Sequence, residues 1–347
     1  MKKTELTKIK FYSFGLIIIV LIIVGIGGFE IIIKTSGANK IFEQAIKEII
    51  SQKPIVCEKT RKLDGQCYEG EESLVYAVMI ENHAASRPVS GLNQASLVYE
   101  VVVEEPITRF FAVFYANENL KKIGPVRSAR PFFVDWAKEF NGPYGHVGGS
   151  DAALDLLAKT YDYDLNEFSN GKYFWRSWNR PMPHNVYTSN ELIAKAVLEK
   201  NWQVKSDFDS WKFMPEQQSG VELVEAQVIK VDFGTTEYSV EWKYNLKEKK
   251  YVRYQGGYVY HDSEAAEVTV KNVVLMFTDE KIIDSYGRKK IKTIGSGKAI
   301  VYRGPEKIEA EWRRPSLTER TRFFDANGQE IAFFSGHTWI EVLENWD

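Results

Sequence analysis

Cysteine and histidine are scarce: 347 residues carry two of the first and five of the second. Neither cysteine, Cys57 nor Cys67, has the electropositive setting of a catalytic thiolate. Three of the histidines fall between His83 and His184, each in a separate loop, so no metal site is assigned. H-E-x-x-H, G-x-S-x-G, the P-loop and G-x-G-x-x-G are all missing, and no cofactor is expected. No charge sign dominates either. A net charge of −2 supplies no basic field, which excludes nucleic acid as an expected partner. Internal repeats and low-complexity tracts are absent.

One long apolar run is present. Phe11 to Phe29 holds no charged side chain and only Ser13 as a clearly polar one. As a helix it would be roughly 28 Å long, close to the ~30 Å hydrocarbon core of a bilayer. Lys2, Lys3, Lys8 and Lys10 precede it against a single Glu5, which holds that end in the cytoplasm and exports the rest. The expectation is a signal anchor in the cytoplasmic membrane, with the bulk of the chain outside. Cleavage at Ser36-Gly37-Ala38 is the alternative, disfavoured because the apolar stretch exceeds a signal peptide's. Export makes a Cys57–Cys67 disulfide plausible; two free thiols are the other reading.

The remainder, 44% hydrophobic and 14% aromatic over the whole chain, can bury a core. The organisation read from it is a tail and anchor over 1–35, and a juxtamembrane helix and cysteine loop over 36–73. A mixed α/β domain over 74–204, a linker over 205–224 and a β-rich domain over 225–347 follow. The fold class is α+β, two domains behind one transmembrane helix. Leu74–Ile80, Leu97–Val103 and Thr108–Tyr115 read as strands. Ser128, Ser150 and a Thr188/Glu191 capping box read as helix starts. Beyond residue 225 short β runs recur, at Ala226–Phe233, Tyr238–Tyr244, Tyr251–Gln255, Val268–Phe277, Lys298–Tyr302, Thr321–Phe324 and Thr338–Val342.

Polar residues concentrate in the first domain. Glu81-Asn82-His83 closes a strand, where ligand crevices commonly lie, with Arg87 four residues on; a plain turn is the bland reading. In Gly124-Pro125-Val126-Arg127-Ser128-Ala129-Arg130-Pro131, two arginines flank a helix start. Such a pair suits a phosphate or carboxylate, unless both arginines bridge to Glu100, Glu104 or Glu105. His146-Val147-Gly148-Gly149-Ser150 is a glycine-rich helix entry that could bring backbone N–H groups to a ligand, or be only a loop. The loop from Trp175 to Asn185, with Arg180, His184 and Asn185, could bind sugar or peptide through its tryptophans, or be tied down by burying Trp175 and Trp178.

Together these residues resemble the YerB-like family of bacterial envelope lipoproteins. The resemblance rests on Val78–His83, Arg87-Pro88, Ser90-Gly91-Leu92, Ile107–Phe110, Gly124–Pro131, His146–Ser150, His184-Asn185, Gly328 and Gly336–Ile340. It implies two α+β domains outside the membrane and no known reaction. The chain departs from the family in lacking the lipidated cysteine. A looser likeness of layout, Arg109 on a strand before the arginine turn, is to LytR-CpsA-Psr phosphotransferases, whose Asp-rich metal site has no match here. The function expected is binding of an anionic or glycan cell-wall ligand in an arginine- and histidine-lined cleft. The alternative is an envelope phosphotransferase or hydrolase acting on a polyprenyl-phosphate or peptidoglycan substrate. There Arg109, Arg127 and Arg130 would hold the anion, and His83 or His146, with Glu81 also a candidate, would act as base.

Overall fold

The computed structural model describes residues 57–116, 119–215, 227–263 and 266–345. The apolar run Phe11–Phe29, and with it the anchor and the juxtamembrane helix, lies outside them. No helix among the described residues is long and apolar enough to cross a membrane.

In chain order the strands are β1 Val75–Glu81, β2 Leu97–Glu104, β3 Ile107–Tyr115, β4 Tyr144–His146, β5 Asp164–Asn166, β6 Trp175–Arg176, β7 Val186–Tyr187 and β8 Phe213–Met214. The second half adds β9 Val228–Val231, β10 Val240–Asn245, β11 Lys250–Gln255, β12 Tyr258–Val259, β13 Thr269–Val270 and β14 Asn272–Thr278. After these come β15 Glu280–Ile282, β16 Lys289–Ile291, β17 Gly295–Arg303, β18 Glu306–Arg314, β19 Arg322–Phe324, β20 Phe333–Phe334 and β21 Thr338–Glu344. The helices are α1 Pro131–Ala137, α2 Asp151–Thr160, α3 Glu167–Asn170 and α4 Asn190–Glu199.

Ten strands form one mixed sheet in the order β19-β18-β17-β14-β21-β2-β3-β1-β4-β5. The two halves meet inside it: β21 runs parallel to β2, with Leu97 opposite Thr338 and Glu100 opposite Glu341. Every residue of β1 is buried, as a strand covered on both faces requires. Val75, Ala77 and Met79 face the aromatic side of α1 (Phe132, Phe133, Trp136) together with Leu157 of α2. Tyr76, Val78 and Ile80 face the other way, towards Ile193 of α4 and the small sheet β9–β13, which contributes Trp242 and Tyr251. The mixed first half and β-rich second half are as expected.

The disulfide Cys57–Cys67 is formed, and its loop is part of the folded body. Leu63 is buried, its N–H donates to the Tyr115 hydroxyl, and Asp64 accepts from Ser96. The polar segment that follows residue 204 is docked as well. Trp211 is buried and stacks on Phe333, while β8 pairs with β20 of the second half.

Two helix starts differ from expectation. α1 begins at Pro131 with Arg130, not Ser128, in the cap position and no side-chain cap bond; proline at the first helical position fixes that start. α4 is capped by Ser189, whose hydroxyl accepts from Leu192 N, while the Thr188 hydroxyl donates to Tyr173 O. Ser150 caps α2 as read. β18 was not anticipated. Its sequence, EKIEAEWRR, alternates charged and apolar residues on a strand only partly buried, and the charges mask the period.

Candidate functional site

Glu81 is the last residue of β1 and stands opposite Arg109 of β3. The segment 124–128 runs past that strand end: Glu81 N donates to Pro125 O, and Arg127 N to Met79 O. It can pass so closely because residue 124 is glycine. At φ +138° a Cβ there would meet Val126 N and Val186 O at 2.8 Å. On the far side the segment is held by β7, through Val126 N to Val186 O, and the β6–β7 connection carries His184 over the same spot.

These elements converge on the Glu81 carboxylate, which is 2% exposed. Its Oε1 stands 3.0 Å from Arg127 Nε as an ion pair, off the N–H axis so that Nε has no aligned hydrogen bond. Its Oε2 accepts from His184 Nδ1 at 2.9 Å. The His184 ring stacks on His83, with centroids 4.8 Å apart and planes 16° from parallel. Arg130 is paired with Glu104 and also donates to Ala129 O.

Arg109 differs from its neighbours. It is 4% exposed, and Nη1 donates to Ser128 O at 2.7 Å. Its Nε has no partner, and it forms no ion pair among the described residues. Burial, then the guanidiniums of Arg130 and Arg127, push its pKa down from the usual range to about 9. Three guanidiniums thus share two carboxylates, and the innermost guanidinium has none of its own.

Glu81, His83, Arg109, Arg127, Arg130 and His184 are therefore one group, whereas the other residues singled out from sequence build its frame. His146 is fully buried, with Nδ1 2.7 Å from Gly148 O and Nε2 2.6 Å from Asp164 Oδ1. Both ring nitrogens are occupied, so His146 is not available as the base. Gly148 N donates to Asn166, Gly148 O accepts from Ala129 N, Gly149 bridges Ala129, and the Ser150 hydroxyl is used by α2. The Gly148 N–H and carbonyl and the Ser150 N–H are thus taken within the protein. Ser128 contributes its carbonyl, to Arg109.

Asn82 is buried, its amide nitrogen 2.7 Å from Thr108 Oγ1 and 3.1 Å from both Glu100 and Gln255 oxygens. Arg87 donates to the Asn82 carbonyl and lies over the Tyr238 ring. Asn185 closes the β6–β7 hairpin against Ser177, and Arg180 donates to the Ser86 and Pro88 carbonyls. That clamp ties the loop down together with half-buried Trp175, which stacks on Tyr187, whereas Trp178 takes no part. Trp178 is 99% exposed, as Met182 largely is. The Glu81–His184 bond spans 103 positions of sequence, and no local signal announces it. A separate cavity of about 410 Å³ lies at Val102, Pro106 and Phe233, where Glu280 and Glu105 are already paired with Lys289.

The chain is similar to known proteins along most of this architecture. Residues 65–203 match the protein of unknown function (DUF3048) N-terminal domain, and residues 229–340 match its C-terminal domain. Putative lipoprotein YerB of Bacillus subtilis (strain 168) is 32% identical over 276 residues, covering 78% of this chain and 81% of that protein. A crystal structure of YerB protein from Bacillus subtilis superposes with a TM-score of 0.74 at 30% identity, over 82% of this chain and 97% of that one. With both halves matched in order and the fold shared, the chain belongs to the YerB-like, DUF3048 family.

Proposed function

We propose that this is a membrane-associated, extracytoplasmic protein of the cell envelope that binds an anionic cell-wall ligand at Arg109, Arg127 and Arg130. The relative named as a lipoprotein, the lysine-flanked apolar run Phe11–Phe29 and the disulfide support the location. The observation that carries the ligand class is Arg109, a buried guanidinium without a carboxylate partner among the described residues. A buried charge left unpaired costs the fold stability, and a bound anion removes that cost. Trp178, exposed on the loop that carries His184, offers a ring for stacking on a sugar and supports a glycan-linked anion.

Titration of the full chain with inorganic pyrophosphate and with anionic wall-glycan fragments tests this. Arg109→Met should weaken binding by about 1.5–3 kcal/mol, the worth of a charge-assisted hydrogen bond, without lowering the ligand-free melting temperature. A variant that melts well below wild type, or a wild type that binds neither probe, would overturn the proposal.

The 2.9 Å Glu81–His184 bond favours a second reading, an envelope phosphotransferase or hydrolase. A carboxylate on Nδ1 fixes the ring and leaves Nε2 to accept a proton. Turnover of a phosphoester substrate that is lost in His184→Phe would favour it over simple binding.

A further inference from the structure

The two stacked histidines are held in opposite tautomers by their neighbours. His83 Nδ1 accepts from the backbone N–H of Ala85 at 3.1 Å, so the neutral ring carries its proton on Nε2 and donates there. His184 Nδ1 donates to the Glu81 carboxylate, so in the neutral ring Nε2 carries a lone pair and accepts. Neither Nε2 has a partner among the described residues, and stacking sets both within the span of one small ligand. Arg127, on the other oxygen of Glu81, can only donate. His184 Nε2 thus adds an acceptor to a group whose arginines are donors. It matches nothing on a fully ionised phosphate or carboxylate, but it matches a hydroxyl.

We infer that the site selects anions carrying a hydroxyl close to the charged group, as in sugar phosphates or polyol phosphates, and that His184 and His83 read the hydroxyl. The anion is held by the arginines, so the inference rests on the anion-binding reading above. Arg127 and His184 share the two oxygens of Glu81, which ties the charge-reading and hydroxyl-reading groups together. His184 accepts the ligand's O–H, and His83 donates to the ligand's oxygen beside it.

Two measurements on the full chain test this. The first needs no ligand. With only five histidines in the sequence, ¹⁵N-histidine labelling gives a spectrum that single substitutions assign. At a pH where both rings are neutral, His83 should show its proton on Nε2 and His184 on Nδ1. The same tautomer in both would overturn the inference. The second compares glycerol 3-phosphate with methyl phosphate at pH 8, where both are dianions because the second phosphate pKa is near 6. Glycerol 3-phosphate should bind about threefold to tenfold more tightly, the worth of one neutral hydrogen bond. His184→Phe should abolish that preference, so that the variant binds glycerol 3-phosphate and methyl phosphate equally. Equal binding of the two by wild type sinks hydroxyl recognition but leaves the anion site standing. If neither binds, the anion site itself falls.

Discussion

Arg109 is the residue whose charge the fold neither exposes nor pairs among the described residues. Its folded pKa of about 9 lies below that of an unfolded arginine, and the cause is chiefly burial, then Arg130 and Arg127. A depressed base binds fewer protons folded than unfolded, so its destabilisation is complete below about pH 9 and relaxes as pH rises beyond it. Arg109→Met, which lacks the charge, should therefore be more stable than ligand-free wild type at pH 7.5. The gap should narrow by about 1 kcal/mol between pH 8 and pH 10. Chemical denaturation of both proteins across that range measures it; a gap that widens contradicts the assignment. The arginines themselves were legible in the sequence, but which of them is paired was not. Their carboxylates come from β1 and β2, and register across strands cannot be read from spacing along one segment.

Among the elements, the pairing of β2 with β21 carries an unusual burden. Glu100 and Glu341 are both fully buried and opposite one another in register. Arg253 of β11 is ion-paired to Glu100 at 2.7 Å, while Glu341 accepts from Trp242 Nε1. Burial, then the charge of Glu100, holds the Glu341 carboxyl well above the usual carboxylate range. A raised acid binds its proton more tightly folded than unfolded. Its contribution to stability is full below the unfolded pKa, near 4, and is lost as pH rises above it. Glu341→Gln copies the protonated form, so it should flatten the fall in stability from pH 5 to pH 8 and exceed wild type by about 1 kcal/mol or more at pH 8. Urea titrations at the two pH values decide it; a variant weaker than wild type at both would mean that the carboxylate is needed ionised. The strands themselves were largely visible in their valine and aromatic runs, and all three N-terminal ones lie within two residues of the expected bounds. Element ends were less visible. The switch from Thr188 to Ser189 as the cap of α4 turns on the Thr188 hydroxyl being taken by Tyr173 O, a tertiary contact.

At the scale of the molecule, two sequence domains share one sheet. The family models divide the chain near residue 203 and resume at 229, yet β21 lies between β14 and β2. Buried Arg253 of the second half reaches Glu100 of the first. Separate production of 57–215 and 227–345 should yield fragments with no cooperative thermal transition, because each would bare a long strand edge and a buried charge. Mixed, they should regain one transition. Two sharp independent transitions would show instead that the halves fold alone. Sequence showed the change of composition between the halves but not their union, since nothing in Thr338–Val342 states which strand it will join.

That union also sets a timetable for biosynthesis. β21 follows every other strand in chain order but takes a central place, so a nascent chain emerging N-terminus first finishes β2 and must wait for residue 338 before that edge is covered. At about 5–20 residues per second the wait is on the order of ten to fifty seconds. For that period β2, an eight-residue strand buried along nearly all its length in the finished fold, is open to any passing strand. The protein's dependence on a holding chaperone should be greatest in that interval and end abruptly when the last strand arrives.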